Sequence, residues 1–596
     1  MNVSAPAYLG VAHSISGKRW RTRGEDDRLA LALSQRFELP DAVGRVMAAR
    51  GVSLETAEEF LNPSLKSQLP DPSHLKDMDV AVARLVAAVQ GGETIGVFGD
   101  YDVDGATSSS LLSRFITAAG GQVKIYIPDR MKEGYGPNTA ALKALNAEGV
   151  SVIVTVDCGI TAFDPLAAAA AAGIEVIVVD HHVAEPRLPD AVAVINPNRL
   201  DDDSPHGQMA AVGVAFLLAV AVNRGLREAG WYQAGKPEPD LRGLLDLVAL
   251  GTVCDVVPLT GLNRVFVRQG LAVMARRRNI GIAALSDVAG VNETPEAYHA
   301  GFVLGPRVNA GGRVGEAGLG AALLTTSDPE QAKSIAKQLD DFNRERRAIE
   351  AACLDAAIAE VEEEVEQGSL DDGLVYVAAE GWHPGVIGIV ASRLKDRYNR
   401  PTCVVAFDGG IGKGSGRSVR GVDLGSAVVA ARQSGLLING GGHPMAAGFT
   451  VDRNANDEFR AFLAERIAEN IGADGIVSEL GIDGAIQPGG ASVDFIQSLE
   501  QLSPFGAGNA RPRFVFPAAR VLKADVVGRD HVRCFIGGED GARIKGIAFR
   551  VVGRPLGDAL LSSGGMPLHI AGHLQRDRWQ GRDESQLIIE DAAKPV

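Results

Sequence analysis

Residues 94–105 read TIGVFGDYDVDG. TIGVFG is an apolar run of strand length, the pattern of a strand covered on both faces, and Asp100, Asp102 and Asp104 follow it at alternate positions. Moving outward, VKIYIPD (123–129), SVIVTVD (151–157) and IEVIVVDHH (174–182) repeat the arrangement, an apolar run closing on an acid. Between them, 106–119, 138–148 and 162–172 carry helical patterns at the spacing expected of strand–helix–strand units. The fold class is therefore α/β, a doubly wound parallel sheet. Ligands of such sheets bind at the carboxyl ends of the strands, where these acids fall.

The 596 residues imply several domains. With 59 Lys+Arg against 74 Asp+Glu, the net charge of −15 argues against a generic basic nucleic-acid coat or a polybasic membrane binder. Cys158, Cys254, Cys353, Cys403 and Cys534 form no CxxC pair, which suits a reducing compartment and offers neither a zinc site nor a disulfide framework. The first twenty residues lack the charged start and apolar core of a signal peptide, and the apolar stretch 210–222 is short for a membrane helix. The expectation is a cytoplasmic protein with no membrane association.

Five segments are expected. Residues 1–75 form a separate, mostly helical appendage, and 76–327 the acid-bearing α/β domain, with a helical region over about 208–274 that holds LLDLVALGTVCDVVPL. Residues 328–370 form a connecting helix, with Ile335, Leu339, Phe342, Ile349, Ile358, Val361 and Val365 at helical spacing. Twelve acids and three arginines between 340 and 372 give that stretch a net −9, the mark of a solvated helix. Residues 371–472 form a second α/β unit with the Gly-rich loops GGIGKGSGRS and NGGGHPMAAG, and 473–596 a small β domain.

The acids carry the chemistry. Three neighbouring carboxylates repel one another and need a cation to offset them. Asp157 ends a second strand, Asp180, His181 and His182 end a third, and Asp255 adds a carboxylate from the helical region. A single Asp after a strand is ordinarily a helix N-cap. Convergence of three strand ends on one sheet edge favours a metal centre, and mixed Asp/His ligation suits manganese or magnesium better than thiolate zinc. No GxSxG elbow and no cysteine with a motif partner supports a side-chain nucleophile.

Two other regions suggest an anionic strand as substrate. The Gly-rich stretches let backbone approach a phosphate, and residues 381–450 carry a net +5. Residues 511–596 carry a net +4, with RPRFVF, RCFIG and DRWQG interleaving aromatics with arginine, as base stacking requires. His206, beside Asp201–Asp203, is expected in a solvated loop, Trp382 in packing, and LSPFGAGN (502–509) in the join to the tail.

DYDVDG, VDCG, DHH and TVCDVVPL, followed by GPRVNAGGR, GWHPGVIGIVASR, GSGRS, GGGHPMAAG and LSPFGAGN, make the chain resemble the DHH phosphoesterase superfamily. Within it, the chain resembles the RecJ family of bacterial single-stranded-DNA exonucleases. The likeness implies a DHH domain, a DHH-associated substrate-binding domain and a C-terminal OB-like domain. It implies two divalent ions, manganese or magnesium: Asp100 and Asp102 on one, Asp104, His181 and Asp255 on the other, Asp157 bridging. His182 would face the substrate phosphate and Asp180 would orient the histidines. Ser415, Arg417, His443, Arg313 and Arg307 would hold the strand. The implied reaction is in-line hydrolysis of single-stranded DNA from its 5′ end to mononucleotides by water activated between two ions. The setting would be repair and recombination, the protein a monomer, and a helicase and a single-stranded-DNA-binding protein its partners. Asp100, where some phosphodiesterase branches have His, disfavours a phosphodiesterase of short oligonucleotides or cyclic dinucleotides. The complete acid set disfavours an inactive DNA-binding scaffold.

Overall fold

Short strand β1 (Arg19–Thr22) precedes the sheet that the apolar runs predict: β2 (Thr94–Gly99), β3 (Gln122–Tyr126), β4 (Val150–Val156), β5 (Glu175–Val179) and β6 (Ala193–Ile195). The computed structural model describes residues 6–130, 132–367, 373–471, 476–577 and 583–595. Two units form. One comprises the chain up to Gly312, Glu316–Asp340 and Glu479 onward; the other comprises Arg313–Gly315 and Asp341–Ser478.

The first sheet is wholly parallel, in the order β3-β2-β4-β5-β6. After β3 the chain crosses back over β2 to form β4, so the winding reverses between β2 and β4, a switch point of the kind that holds ligands. Val152, Val154 and Val156 face an apolar layer shared with the helices Val103–Ala118 and Ala211–Glu228. Ile153, Val176 and Val178 face the opposite layer, with Leu142 and Leu166. At ~1.5–3 kcal/mol per fully buried aliphatic side chain, this double burial fixes the register that points the strand-end acids outward.

The second unit contains β7 (Val375–Glu380), β8 (Thr402–Asp408), β9 (Ile411–Arg417), β10 (Asn439–His443) and β11 (Ala446–Asp452), in the order β10-β11-β9-β8-β7. Only β7 and β8 pair in parallel. The expected Gly-rich loops are therefore corrected: GKGSGR lies in β9 and NGGGH forms β10. Close approach explains the glycines. A Cβ on Gly414 would lie 2.0 Å from Phe449, and one on Gly416 would lie 2.6 Å from Leu424. Alternate glycines thus admit core side chains on one face, while Lys413, Ser415 and Arg417 occupy the other.

The long helix is Pro329–Glu366. It is not simply solvated, as its charge suggested. Within the second unit its Cys353, Ala357 and Val361 pack with Val375, Val390 and Leu394. Arg346 and Glu350 are buried as an ion pair, and Glu350 also meets Arg393 at 2.6 Å. Most of the acids lie on the outer side of a helix whose inner side is core.

The C-terminal part of the first unit contains β12 (Glu479–Ile482), β13 (Gly484–Ala485), β14 (Phe514–Val527), β15 (His531–Gly537), β16 (Arg543–Ala548), β17 (Pro567–Asp577) and β18 (Glu584–Ala593). The order is β13-β14-β15-β16-β18-β17, and pairing of β17 with β14 closes the barrel. The N-terminal segment is not the separate appendage expected. β1 pairs in parallel with β12, Trp20 is fully buried, and its Nε1 donates to Asp591 Oδ2 at 2.9 Å. Leu33, Val43 and Met47 share one core with Phe514, Phe516 and Ile570 of the barrel. The helices of this segment have an apolar face to cover, and the barrel covers it. The reading of RPRFVF as a stacking surface is corrected too, because Phe514 and Phe516 are core. Phe535 of RCFIG does face outward, 40% exposed, in register between Lys523 and Lys545. Of DRWQG (577–581), residues from 578 onward lie outside the described residues.

Candidate metal centre

Asp100 follows β2 directly, its amide donating to Val156 O of β4 at 3.2 Å across the switch point. Asp102 caps the Val103–Ala118 helix, Oδ1 accepting from the amides of Asp104 (2.8 Å) and Gly105 (3.1 Å). The N-cap reading and the ligand reading thus fall on one residue. Gly105 allows the tight turn, since a Cβ there would lie 2.3 Å from Asp100 O. Asp104, fully buried in the first helical turn, accepts from Ala211 N (2.7 Å) and Val212 N (2.9 Å) at the start of the Ala211–Glu228 helix. Asp157 follows β4 with φ at +62°, a strained setting for a side-chain-bearing residue, held by the hydrogen bond its amide donates to Val179 O.

The histidines come from the end of β5. His181 Nε2 lies 3.3 Å from Asp157 Oδ1, 3.6 Å from Asp255 Oδ2 and 4.0 Å from Asp104 Oδ2. Asp180 is fully buried; Oδ2 accepts from Ile160 N, and Oδ1 from the amides of His181 and His182 and from His182 Nδ1 at 2.8 Å. Asp255 follows the Leu245–Cys254 helix. Among the described residues, three groups bring potential ligand atoms within 4.8 Å of one another: Asp100, Asp102 and Asp157; Asp104, His181 and Asp255; Asp157, His181 and His182. Asp157 and His181 each belong to two groups.

The electrostatics favour a bound cation. Burial, then repulsion from Asp102, pushes up the carboxyls of Asp100 and Asp104, the latter to about 7. Burial and neighbouring acids likewise raise Asp157 and Asp255, the latter to about 9. Burial and the adjacent His182 lower His181 to about 4, so it presents a neutral imidazole, the form able to bind a metal. His182 is raised: burial opposes its charge, and the Asp180 hydrogen bond overcomes that. Asp100 Oδ1, Asp157 Oδ1, His181 Nε2 and Asp255 Oδ2 are buried with no hydrogen-bond partner. Each such atom costs ~1–3 kcal/mol unless something binds it. Oxygen-rich donors with a neutral imidazole fit a hard divalent cation.

The expected strand-holding residues divide between the units. In the first, Arg307 donates to Asp340 Oδ1 (2.9 Å) and Val303 O (2.7 Å). In the second, Arg313 Nη1 donates to Gly385 O at 2.8 Å, just before the Ile387–Tyr398 helix, whose Gly388 packs against Ser415 and Arg417. Arg417 and His443 flank Ala446 in register, so β9, β11 and β10 carry them in one row on one face. Gly441 and Gly448, in the row beside them with Ser415, face open space. His206 stacks edge-on against His74 and joins none of the metal-suited groups among the described residues.

Several contributors escaped the sequence reading. Asn198 Nδ2 donates to His181 O (2.5 Å) and Asn196 Nδ2 to His182 O (2.9 Å), fixing the backbone of both histidines. Their only signal is the NPN after β6. Tyr135 donates to Asp157 O at 3.1 Å and sits edge-on to His182. Arg130 lies over the ring of Tyr101, which packs against Tyr135.

The match to known proteins follows this architecture. The DHH family N-terminal domain matches residues 94–252, the DHHA1 domain 371–469 and the RecJ OB domain 482–591. An Asp/His cluster at the switch point of a DHH sheet, with a DHHA1 unit after it, defines a DHH-type phosphoesterase. The single-stranded-DNA-specific exonuclease RecJ of Escherichia coli (strain K12) is 36% identical over 567 residues, covering 93% of this chain and 96% of that protein. That of Bacillus subtilis (strain 168) is 35% identical over 588 residues, covering 97% of this chain and 71% of the relative. The chain belongs to the RecJ family of single-stranded-DNA-specific exonucleases. The crystal structure of RecJ in complex with Mn2+ from Thermus thermophilus superposes with a TM-score of 0.80 at 29% identity, covering 97% of this chain and 80% of that one. The Mg2+ complex from the same source gives 0.75 at 28% identity, covering 97% and 79%. No described helix is long and apolar enough to cross a membrane.

Proposed function

We propose that this chain is a metal-dependent exonuclease that hydrolyses single-stranded DNA from the 5′ end to 5′-mononucleotides. The carrying observation is the set of four buried, unpartnered ligand atoms on Asp100, Asp157, His181 and Asp255. Asp100 and Asp102 would hold one divalent ion, Asp104, His181 and Asp255 a second, and Asp157 both. Two such ions, manganese or magnesium, supply an activated water and stabilise the attacking and leaving oxygens.

The chain's own residues do the rest. Asp180 fixes the orientation of the His182 ring through Nδ1, leaving Nε2 for the substrate. Because Asp180 keeps His182 protonated to a higher pH than usual, that ring meets an anionic phosphate as a donor. Tyr135, tied to Asp157 O, walls the same site with an aromatic face. Ser415, Arg417, His443 and Arg313, and separately Arg307, would hold the strand's backbone or its 5′ phosphate.

Each ligand group lies within one chain, so the proposed centre needs no residue from a second copy, and we take the working unit to be a monomer. A nuclease confined to single strands needs duplex opened for it, the argument for a helicase and a single-stranded-DNA-binding protein as partners in cytoplasmic repair and recombination. The test compares 5′-labelled with 3′-labelled single strands in manganese, magnesium and chelator. Mononucleotides should leave first from the 5′ label and only with metal; release from the 3′ label first, or activity in chelator, overturns the reading.

A further inference from the structure

The segment that follows Asp255 is held from an unexpected direction. Val256, next in sequence, has φ at +62° and is 71% exposed. A β-branched residue in the left-handed region is strained and persists only where its surroundings over-determine it. Local support comes from Asn263, whose Nδ2 donates to Pro258 O (3.0 Å) and Gln208 O (2.7 Å).

The remaining support comes from LSPFGAGN, the turn that leads into the barrel. Leu259 N donates to Ala507 O at 2.7 Å. Gly508, with φ at +70°, lies so close that a Cβ there would be 2.9 Å from Pro258. Asn509, buried, ties the turn to itself through Leu502 O and Pro504 O, both at 2.8 Å. The Gly261–Met274 helix grips the turn from the other side: Arg264 donates to Leu502 O at 2.9 Å, and Arg268 to Gln501 O at 3.1 Å and Ser503 O at 3.0 Å.

We propose that the 502–509 turn is a clamp on the Asp255 segment, with Asn509 and Gly508 as positioning residues, so that the barrel side of the chain sets the placement of one carboxylate of the metal centre. The proposal rests on the reading of Asp255 as a metal ligand. A turn that merely joined two domains would need neither this set of hydrogen bonds nor a glycine packed against Pro258, in the segment that carries that carboxylate. The clamp joins parts of the chain far apart in sequence: Ala507 and Gly508 meet Leu259 and Pro258, three to four residues after Asp255.

The test uses the full chain and Mn2+ alone, titrated by calorimetry and by the electron paramagnetic resonance signal of free ion. Asn509→Ala and Gly508→Ala should weaken one of two Mn2+ sites about 10–100-fold, the range for residues that orient ligands, and leave the other unchanged. Amide exchange over 256–260 should quicken, and excess Mn2+ should restore the rate. If either variant misfolds, Arg268→Ala, which removes two bonds from the outside of the turn, decides. Both Mn2+ sites at wild-type affinity in a folded variant overturn the clamp, and so does equal weakening of both sites, the signature of general destabilisation. Asp255→Ala separates the two readings. If it loses no ion, Asp255 is not a ligand; if it loses one while the clamp variants lose none, only the clamp fails.

Discussion

His182 Nδ1 stands 2.8 Å from Asp180 Oδ1, and that same oxygen accepts the amides of both histidines. One buried carboxylate therefore sets the ring of His182 and the backbone of His181. Asp180→Asn keeps the shape and removes the charge. Activity should fall about 10–100-fold, and NMR titration of the His182 ring should show its pKa lowered. An unmoved His182 would refute the link.

Asp157 shares ligand groups with Asp100 and Asp102 on one side and with the histidines on the other. Asp157→Ala should lower kcat by about 10³-fold or more, ~4 kcal/mol, and disturb both Mn2+ sites in calorimetry. Retained nuclease activity would remove its bridging role.

Arg417 sits in register with His443 across Ala446. If this row holds the 5′ phosphate, Arg417→Ala raises KM about 10-fold with kcat little changed, the pattern of lost uniform binding. The penalty should shrink on strands with a 5′ hydroxyl. An equal penalty on both ends would place Arg417 elsewhere along the strand.

Phe535, flanked by Lys523 and Lys545, gives the barrel an outward aromatic between two cations. Phe535→Ala should weaken single-strand binding by ~1–3 kcal/mol, the value of one base stacked on an aromatic. Fluorescence anisotropy in chelator measures this without turnover.

Glu590 provides a pH test of the barrel. Burial would raise its carboxyl, but the His573 hydrogen bond and Arg513 outweigh that and hold it at about 2. A carboxyl lowered on folding stabilises fully above its unfolded value of ~4.3 and loses that contribution as pH falls toward the folded value. Glu590→Gln should thus cost about 2–3 kcal/mol at pH 7 and roughly half as much at pH 3. Urea denaturation of the two proteins at both pH values gives the comparison; a gap that widens in acid contradicts the assignment.

The legible parts of this molecule are those whose physics is local. β2, β4 and β5 are buried on both faces, so each appears as an unbroken apolar run, and the acids that end them stand out. β6, with three residues, is too short to show a period, and Asn196 and Asn198 act on backbone carbonyls, so NPN is their one trace in the chain. The glycines of β9 and β10 suggested loops because Gly is the usual turn residue; Phe449 and Leu424, which need their space, lie on other elements. The acids of the Pro329–Glu366 helix announced its solvent face and hid its inner one. Trp20 gave no hint of its surroundings, because apart from Val11 the buried residues around it begin at Leu480.

That last separation bears on how the chain is made. Trp20 waits for Asp591, 571 positions later. At ~5–20 residues per second, the N-terminal helices leave the ribosome roughly half a minute to two minutes before the barrel that covers them. Throughout that interval the DHH sheet, whose contacts are nearer in sequence, can complete itself, while Leu33, Val43 and Met47 have only their N-terminal neighbours such as Val46 and Leu61 and lack their barrel partners. The order of synthesis therefore leaves, until the barrel emerges, a chain whose parallel sheet can be complete, whose Asp255 segment still lacks the 502–509 turn, and whose leading segment lacks its barrel cover.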